Sequence, residues 1–401
     1  MRDEKKCILI ISAIYPPEPV VSAKLSADLY QALKVDGRLV KVLHPKPTRP
    51  NGFKIDGSLS PNEDEVTTNS YTCPQSSLYG RFKESFSFGL ECAKYISEQH
   101  QKIACIYANA WPLVSQYHIV KAANKYRIPV AMHVQDIYPE SLTNKLPSFL
   151  GSLLKALLLP MDRYILRNST KVIAISEKMK AHLVETRGID VEKASVVINW
   201  QDEAEFLEYQ MSAGAVPVEH DKFTFMYMGN IGPVAGVDLL IDAFETAQLR
   251  EAMLVIAGSG SMKEVLKEKA KNNPNIEFWD VPNGKVPEIQ SKADVMMLPI
   301  KKGAASSSIP SKLPAYMFSA KPIIGSMDVD SDTAIAIKNA NCGAIVEPEN
   351  KMALAQTMKE LSEKDRKILN EMGSRGQQYA LEHFSKNSNL KNLKQVIYEL
   401  F

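Results

Sequence analysis

Serines and a lysine that could bind phosphate lie in KKGAASSSIPSKLPAYMF, residues 301–318. The run Ser306–Ser308 precedes Pro310, which the first turn of a helix tolerates, and apolar residues then recur at helical spacing. We therefore expect the serines at a helix N-terminus, where unpaired N–H groups and short hydroxyls can hold a diphosphate. Lys312 would lie one turn inside this helix and add a full positive charge. The alternative is that one serine simply caps the helix.

A second group of polar side chains occupies HVQDIYPESL, residues 133–142. The segment follows a short apolar run that predicts a strand, so its polar side chains are expected at the carboxyl end of that strand. Asp136 or Glu140 could orient hydroxyl groups of a substrate, and His133 could form a hydrogen bond to it. The alternatives are structural, because an aspartate before Ile-Tyr-Pro is a common turn residue and a lone histidine is more often a satisfied core or surface group.

Two glycine-rich turns follow apolar runs in the second half of the chain. MGNIGPVAGVDLLIDAF contains Gly229, Asn230 and Gly232 between a predicted strand and a predicted helix, and its amides could approach an anion. AGSGSMKEVLKEKA, residues 257–270, repeats the strand–glycine–helix pattern one unit later. Each turn alone is equally consistent with an ordinary strand–helix connection. It is the succession of the two turns, one strand apart, that is typical of nucleotide-binding domains.

Strands and helices that would position these residues alternate along the whole chain. Continuous rather than alternating hydrophobicity indicates strands covered on both faces, and the intervening helical patterns indicate βαβ units. The strand-like runs are CILIISA, VKVL, IACIYA, VAMHV, KVIAIS and SVVIN, then FTFMYMG, AMLVIAG, IEFWDV, DVMMLPI, KPIIGS and GAIVEP.

The pattern restarts near residue 223 and predicts an α/β protein of two Rossmann-like, doubly wound domains. Residues 1–200 form the first, the polar stretch 201–222 is an irregular linker, and 223–383 form the second. Residues 384–401 form a final amphipathic helix, and 47–75 a long surface loop. A cleft between two such domains is the expected ligand site.

Composition excludes several classes of protein. The 401 residues carry a net charge of only +2, which argues against a nucleic-acid partner. The five cysteines are scattered without a CxxC pair, which favours reduced, mostly buried thiols and no zinc site. No apolar stretch is long enough to span a bilayer. A cytoplasmic protein is expected.

Taken in order, the motifs GNIG, AGSG, FWDV, ADVMMLP and SSIPSKLPAYMFSAKPII, with YPPE, HVQDIYPESL and VIAISEKMKAHL, resemble the GT-B glycosyltransferases. More narrowly, they look like the retaining family 4, in the branch that builds O-antigen and capsule polysaccharides and includes N-acetylfucosamine-type transferases. The resemblance covers nearly the whole chain. It implies a nucleotide sugar on the C-terminal domain, an acceptor on the N-terminal domain, and a last helix that packs back on the latter.

The resemblance also assigns site residues. Ser307, Ser308 and Lys312 are expected at the diphosphate with Gly229, Asn230 and Gly232, and Val281 at the base through its backbone. Asp136, His133 and Glu140 are expected at the reacting sugar. Two departures stand out: Ser307 and Ala315 occupy the places of the family's two glutamates, and Asn230 and Ala235 those of its Arg and Lys. These departures leave the family's ribose contact and cationic diphosphate contacts unassigned.

The implied activity is retaining transfer of a sugar, an N-acetylated hexosamine or deoxyhexosamine, from a UDP-linked donor to a glycan on polyprenyl diphosphate. No cofactor and no metal are expected. The resemblance also implies that no protein nucleophile or base is required, because the leaving diphosphate can accept the acceptor's proton. The apolar and basic segment 145–171 suggests peripheral contact with the inner face of the cell membrane, unless it only packs on the N-terminal sheet. The alternatives are a GT-B sugar-nucleotide epimerase and a non-catalytic partner subunit.

Overall fold

The computed structural model describes residues 6–18, 21–48, 62–73, 77–109, 113–143, 146–213, 222–233, 235–282, 284–302 and 309–401. It divides into two compact units. The first comprises Met1–Ile198 and Asn389–Phe401, and the second comprises Asn199–Ser388.

The first unit is built on a seven-stranded sheet in which every adjacent pair of strands is parallel. Its strands are β1 (Cys7–Ser12), β2 (Val40–Pro45), β3 (Glu65–Thr68), β4 (Ile103–Asn109), β5 (Val130–Val134), β6 (Lys171–Ala174) and β7 (Ala194–Val196). They lie in the order β3-β2-β1-β4-β5-β6-β7. The consecutive residues Leu9, Ile10 and Ile11 are all fully buried, so helices cover both faces of this sheet.

Six helices connect these strands. They are α1 (Val21–Val35), α2 (Leu78–Gln99), α3 (Leu113–Lys125), α4 (Glu140–Thr143), α5 (Ser148–Asn168) and α6 (Glu177–Arg187). None of the helices in the described ranges has the length and apolarity that a membrane span requires.

The second unit repeats the architecture with a six-stranded parallel sheet in the order β10-β9-β8-β11-β12-β13. Along the chain it contains α7 (Ala204–Ala213), β8 (Phe223–Met228), α8 (Val237–Ala247), β9 (Ala252–Ala257), α9 (Lys263–Ala270), β10 (Ile276–Trp279), α10 (Val286–Ser291), β11 (Val295–Pro299), α11 (Lys312–Phe318), β12 (Ile323–Ser326), α12 (Asp332–Asn339), β13 (Gly343–Val346), α13 (Lys351–Ser362) and α14 (Arg366–His383). The last helix, α15 (Lys386–Tyr398), belongs to the first unit from Asn389 onward.

All twelve predicted strands are confirmed, as is the prediction of two Rossmann-like units. Three details were wrong. The expected loop 47–75 contains the edge strand β3, whose sequence EVTT carries little apolar signal. The expected irregular linker contains α7, where Phe206 is buried with its ring centre 5.9 Å from that of Phe318. Lys312 is the first residue of helix α11 rather than lying one turn inside it, and Ser311 is the residue that precedes the helix.

Candidate active site

In the second unit, the carboxyl ends of β8 and β9 lie in direct contact through two glycines. Gly229 follows β8 with φ +153°, and Gly258 follows β9 with φ +130°. A Cβ at Gly258 would overlap the carbonyl oxygen of Gly229, and a Cβ at Gly229 would overlap Cε of Lys312. Glycine is favoured at both positions, at Gly258 because the backbone of Gly229 lies too close for a Cβ and at Gly229 because side chains rarely adopt its φ.

Lys312 is the first residue of α11, and its half-buried side chain crosses Gly229. The Nζ atom lies 5.7 Å from the centre of the Tyr227 ring. Burial lowers the pKa of the Lys312 ammonium group. No carboxylate pairs with Lys312 in the described part of the chain. A partly desolvated cation without a counterion is suited to receive an anion.

Tyr316 fixes the helix that carries Lys312. Its Oη accepts a hydrogen bond from the Met228 N–H at 2.9 Å and donates to the Met228 carbonyl at 2.8 Å. Tyr316 is one turn beyond Lys312 and fully buried. The two hydrogen bonds between Tyr316 and Met228 thus hold α11 against the end of β8. The packing of α11 in turn sets the position of Lys312.

The predicted turn 229–232 lies against the second glycine turn. The Ile231 N–H donates to the Ser259 carbonyl at 2.8 Å, and the Met262 N–H donates to the Ile231 carbonyl at 3.0 Å. The Tyr227 hydroxyl donates to the carbonyl of Asn230 at 2.6 Å. Gly232 lies beside the Asn230 side chain. The structure therefore brings Gly229, Asn230 and Gly232 together with Lys312, whereas Ser307 and Ser308 lie outside the described residues.

Lys263, which sequence reasoning missed, connects this region to the segment that carries Val281. Its Nζ donates to the Gly258 carbonyl at 2.9 Å and to Asp280 at 2.6 Å. The Gly258 N–H in turn donates to the Trp279 carbonyl at 3.0 Å. Val281, half-buried, follows directly. The chain Lys312–Gly229–Gly258–Trp279 thus links the predicted phosphate and base positions.

In the first unit, His133 lies inside β5 rather than beyond its end. Its ring is buried, and its Nδ1 lies 2.7 Å from the hydroxyl of Tyr107, which is also buried. Burial lowers the pKa of His133 to about 3, so the imidazole is neutral near pH 7. Within the described residues the Nε2 atom has no hydrogen-bond partner. Nε2 is therefore the ring nitrogen of His133 that can form a hydrogen bond with a further polar group.

His133 and Asp136 both line a cavity of about 60 Å³ at the carboxyl ends of β4 and β5. Asp136 is exposed in the turn that leaves β5. The structure therefore brings these two predicted residues to one cavity, and Glu140 is not among its lining residues. The complete lining is Asn109, Leu113, Gln116, His133, Val134, Gln135, Asp136, Tyr138, Asp162 and Leu166.

Glu140 instead belongs to a buried ion cluster centred on Arg187. The guanidinium group donates to both oxygens of Glu140, at 3.0 and 2.5 Å, to Asp162 at 2.6 Å and to the Tyr138 carbonyl at 2.8 Å. Lys155 lies 3.3 Å from Glu140. Burial raises the pKa of Glu140, the Arg187 hydrogen bonds lower it, and the net direction is downward. No sequence pattern distinguished Arg187 from an exposed basic residue at a helix end.

Two family models match the chain in succession. Residues 23–200 match the glycosyl transferase 4-like domain, and residues 222–364 match glycosyl transferases group 1. With two parallel-sheet units, the matches define the class of protein: this chain belongs to the GT-B glycosyltransferases of the group 1, GT4-like class.

Two individual proteins are similar to this chain in sequence. WbjE of Pseudomonas aeruginosa, named as a glycosyltransferase, is 22% identical over 242 residues, which cover 58% of this chain and 59% of WbjE. This chain therefore spans about three fifths of that relative's length. WcaI of Escherichia coli K12, named as a glycosyl transferase of colanic acid biosynthesis, is 21% identical over 76% of this chain and 79% of WcaI.

Solved structures show the same fold. Sucrose-phosphate synthase of Thermosynechococcus elongatus matches with a TM-score of 0.74 and 16% identity, covering 99% of both chains. HepE of Anabaena, solved in complex with UDP, matches with a TM-score of 0.68 and 15% identity, over 98% of this chain and 100% of that chain.

Proposed function

We propose that this protein transfers a sugar, with retention of configuration, from a UDP-linked donor to a lipid-linked glycan in surface polysaccharide biosynthesis. One observation carries the proposal: the half-buried ammonium group of Lys312 lies over Gly229 with no carboxylate partner in the described residues. A nucleoside diphosphate would supply the missing negative charge. The names of WbjE and WcaI, and the UDP complex of HepE, support the class of reaction and of donor.

In the proposed reaction, an acceptor hydroxyl oxygen forms a bond to the anomeric carbon while the bond from that carbon to the diphosphate oxygen breaks. The hydroxyl proton passes to the leaving diphosphate, so no protein base is needed. Lys312 stabilises the negative charge that develops on the leaving group. Ser307 and Ser308 assist it, and Val281 meets the base through its backbone. The reaction requires no metal, and activity is expected to be unchanged by EDTA.

On the N-terminal unit, Asp136 would orient hydroxyls of the reacting sugars, since it is exposed at the rim of the cavity. His133 would contribute its Nε2 as a neutral hydrogen-bonding group. Glu140 acts at a distance through Arg187, by holding the turn that carries Asp136. We further propose that the segment 145–171 contacts the membrane in which the lipid-linked acceptor resides.

Binding of UDP to the Lys312→Ala variant tests the donor site. We expect the Kd for UDP to rise about 10- to 100-fold, because a hydrogen bond to a charged group contributes about 1.5–3 kcal/mol. Lys302→Ala is the matched control, since that lysine is exposed. Isothermal titration measures both. Equal affinity of the two variants for UDP would show that Lys312 does not bind the diphosphate.

Turnover assays distinguish the proposed transferase from an epimerase, and binding assays distinguish it from a non-catalytic subunit. With a panel of UDP-sugars and a membrane extract as acceptor, the wild-type chain should release UDP, and Asp136→Ala should do so more slowly. Product formed without acceptor would identify an epimerase. Failure of every common nucleotide sugar to raise the melting temperature would favour a non-catalytic subunit.

A further inference from the structure

The outer face of α2 is apolar where a helix of a soluble protein is normally polar. Tyr79, Phe82, Phe86 and Leu90 follow one another at spacings of three and four residues, which places them on one side of the helix. Their exposed fractions lie between 44 and 79%. Between Leu78 and Leu90 the one exposed charged side chain is Lys83. Large exposed apolar surface of this kind marks an interaction site.

Helix α5 carries a second apolar face. Phe149, Leu150, Leu153 and Leu157 have exposed fractions between 52 and 78%, and they recur at the spacing of one helical side. This face lies in the first half of the helix, and the exposed arginines of α5 follow only at its C-terminal end.

Ring contacts across α3 connect the two faces, since α3 packs against both α2 and α5. The ring centres of Phe82 and Phe86 are 6.5 Å apart, and those of Phe86 and His118 are 5.5 Å apart. On α3, His118 lies 5.8 Å from Tyr117, which lies 5.3 Å from Tyr164 of α5. We call this continuous surface of α2, α3 and α5 the aromatic face.

Most charged side chains around the aromatic face are basic, and the half-buried Glu91 lies next to Leu90 at its edge. Lys83 lies over the ring of Tyr71, and Lys121 lies over the ring of Tyr117. Helix α3 contains no acidic residue. The acidic residues of α5 and of residues 78–90 of α2 are Asp162 and Glu84, and both are buried. The exposed charge of this surface is therefore mainly positive, which complements anionic headgroups.

We infer that the aromatic face binds the surface of an anionic lipid bilayer. Its phenylalanines and leucines would enter the boundary between headgroups and acyl chains, its tyrosines would lie at headgroup level, and its lysines would reach the lipid phosphates. The inference rests on the proposed function in that a lipid-linked acceptor requires access to a membrane. It extends the contact surface from the segment 145–171 to α2 and α3.

Vesicle flotation of the full chain tests the inference. The assay contains neither donor nor acceptor, so its result does not depend on whether the proposed reaction is correct. We expect the protein to float with vesicles that contain phosphatidylglycerol, and to remain unbound with phosphatidylcholine alone. The double variant Phe82→Ser and Phe86→Ser should lower the partition coefficient about tenfold or more. Met352→Ser is the matched control, because Met352 is an exposed apolar residue of α13 in the other unit.

A second double variant, Phe149→Ser and Leu153→Ser, keeps the test decisive if the α2 variant does not fold. Lys83→Glu with Lys121→Glu should abolish the preference for anionic vesicles, and high salt should weaken wild-type binding. Three outcomes would overturn the inference: no flotation of the wild type, equal binding to both kinds of vesicle, or a wild-type dimer that the α2 variant dissociates. The last would show that a second copy of the chain covers this face.

Discussion

At the scale of single residues, the surroundings of a side chain distinguish Lys312 from the other lysines near it in sequence. Lys301 and Lys302 are exposed, whereas Lys312 is half-buried over Gly229. The sequence contains all three in one short stretch, and it pointed to Lys312 only through the position of this residue in a predicted helix. The close approach of α11 to the end of β8 decides which ammonium group loses water and therefore gains most from an anion.

Lys263 and Arg187 were not predicted for a related reason. Each bonds to backbone carbonyls and carboxylates from segments distant in sequence, such as Trp279 for Lys263 and Tyr138 for Arg187. Local patterns report the side of a helix that is buried, but not the groups that it meets there.

The buried imidazole of His133 should make stability depend on pH. Its folded pKa of about 3 lies below the unfolded value of about 6.5, so only the unfolded chain binds a proton between these values. The contribution of His133 is therefore lost as the pH falls below about 6.5. Between pH 7 and pH 5 the wild type should lose about 2 kcal/mol of unfolding free energy relative to His133→Gln.

Denaturant titration of the wild type and the His133→Gln variant at both pH values measures this difference. Any constant cost of placing glutamine in the strand cancels in the comparison. Parallel changes in the two proteins would mean that the imidazole is protonated in the folded state.

At the scale of elements, the Arg187 cluster joins α4, α5 and α6 and fixes the turn that leaves β5. Arg187 ends α6, Asp162 lies on α5, and Glu140 begins α4. Burial raises the pKa of Asp162 to about 6, against the lowering effect of Arg187. Arg187 and Asp162 are buried and Glu140 is half-buried, so each of these charges depends on its partners to offset the loss of water.

Removing Arg187 should therefore be costly. Arg187→Met leaves the buried Asp162 carboxylate without its cation and the half-buried Glu140 with Lys155 as its cationic partner, and we expect it to lower the unfolding free energy by about 3–5 kcal/mol. Combining it with Asp162→Asn and Glu140→Gln should restore part of the loss. Arg163→Met is the control, because Arg163 is exposed and bonds to the Thr186 carbonyl. Thermal unfolding measures all variants, and similar stability of the two single variants would contradict a structural role of the cluster.

At the scale of the whole molecule, the C-terminal residues complete the first unit, although nearly two hundred residues of the second unit separate them from it. Leu393 and Ile397 of α15 are fully buried. The carboxylate of Asp36 accepts hydrogen bonds from Lys394 and Tyr398, and the guanidinium group of Arg38 lies 4.8 Å from the centre of the Tyr398 ring.

This arrangement predicts that a C-terminal substitution destabilises the N-terminal unit. Leu393→Ala should lower its unfolding free energy by about 2–5 kcal/mol, the usual cost of a cavity at a buried leucine. Exposed Gln395→Ala should change it little. Limited proteolysis followed by mass spectrometry should show earlier cleavage within residues 6–198 of the leucine variant. Unchanged cleavage there would place α15 outside the cooperative unit.

By itself, the sequence determined the class of fold. Twelve strands appear in the sequence as continuous apolar runs, since a strand covered on both faces must be apolar throughout. The edge strands β7, β10 and β13 are only partly buried. It also indicated the two glycine turns that follow β8 and β9, and the structure shows why glycine stands at Gly229 and Gly258, since both have a φ that side chains rarely adopt. It did not reveal the edge strand β3, whose sequence EVTT carries little apolar signal, or the short helix α7, which lies within an otherwise polar stretch.

Only the tertiary structure decided which groups meet. It placed Lys312 over Gly229, buried His133 against Tyr107, and joined Glu140 to Arg187 instead of to the cavity that Asp136 lines. It also joined the apolar faces of α2 and α5 into one surface. The physical reason is that burial and charge pairing arise from contacts between residues far apart in the chain, whereas the sequence displays only the local pattern that each element brings to those contacts.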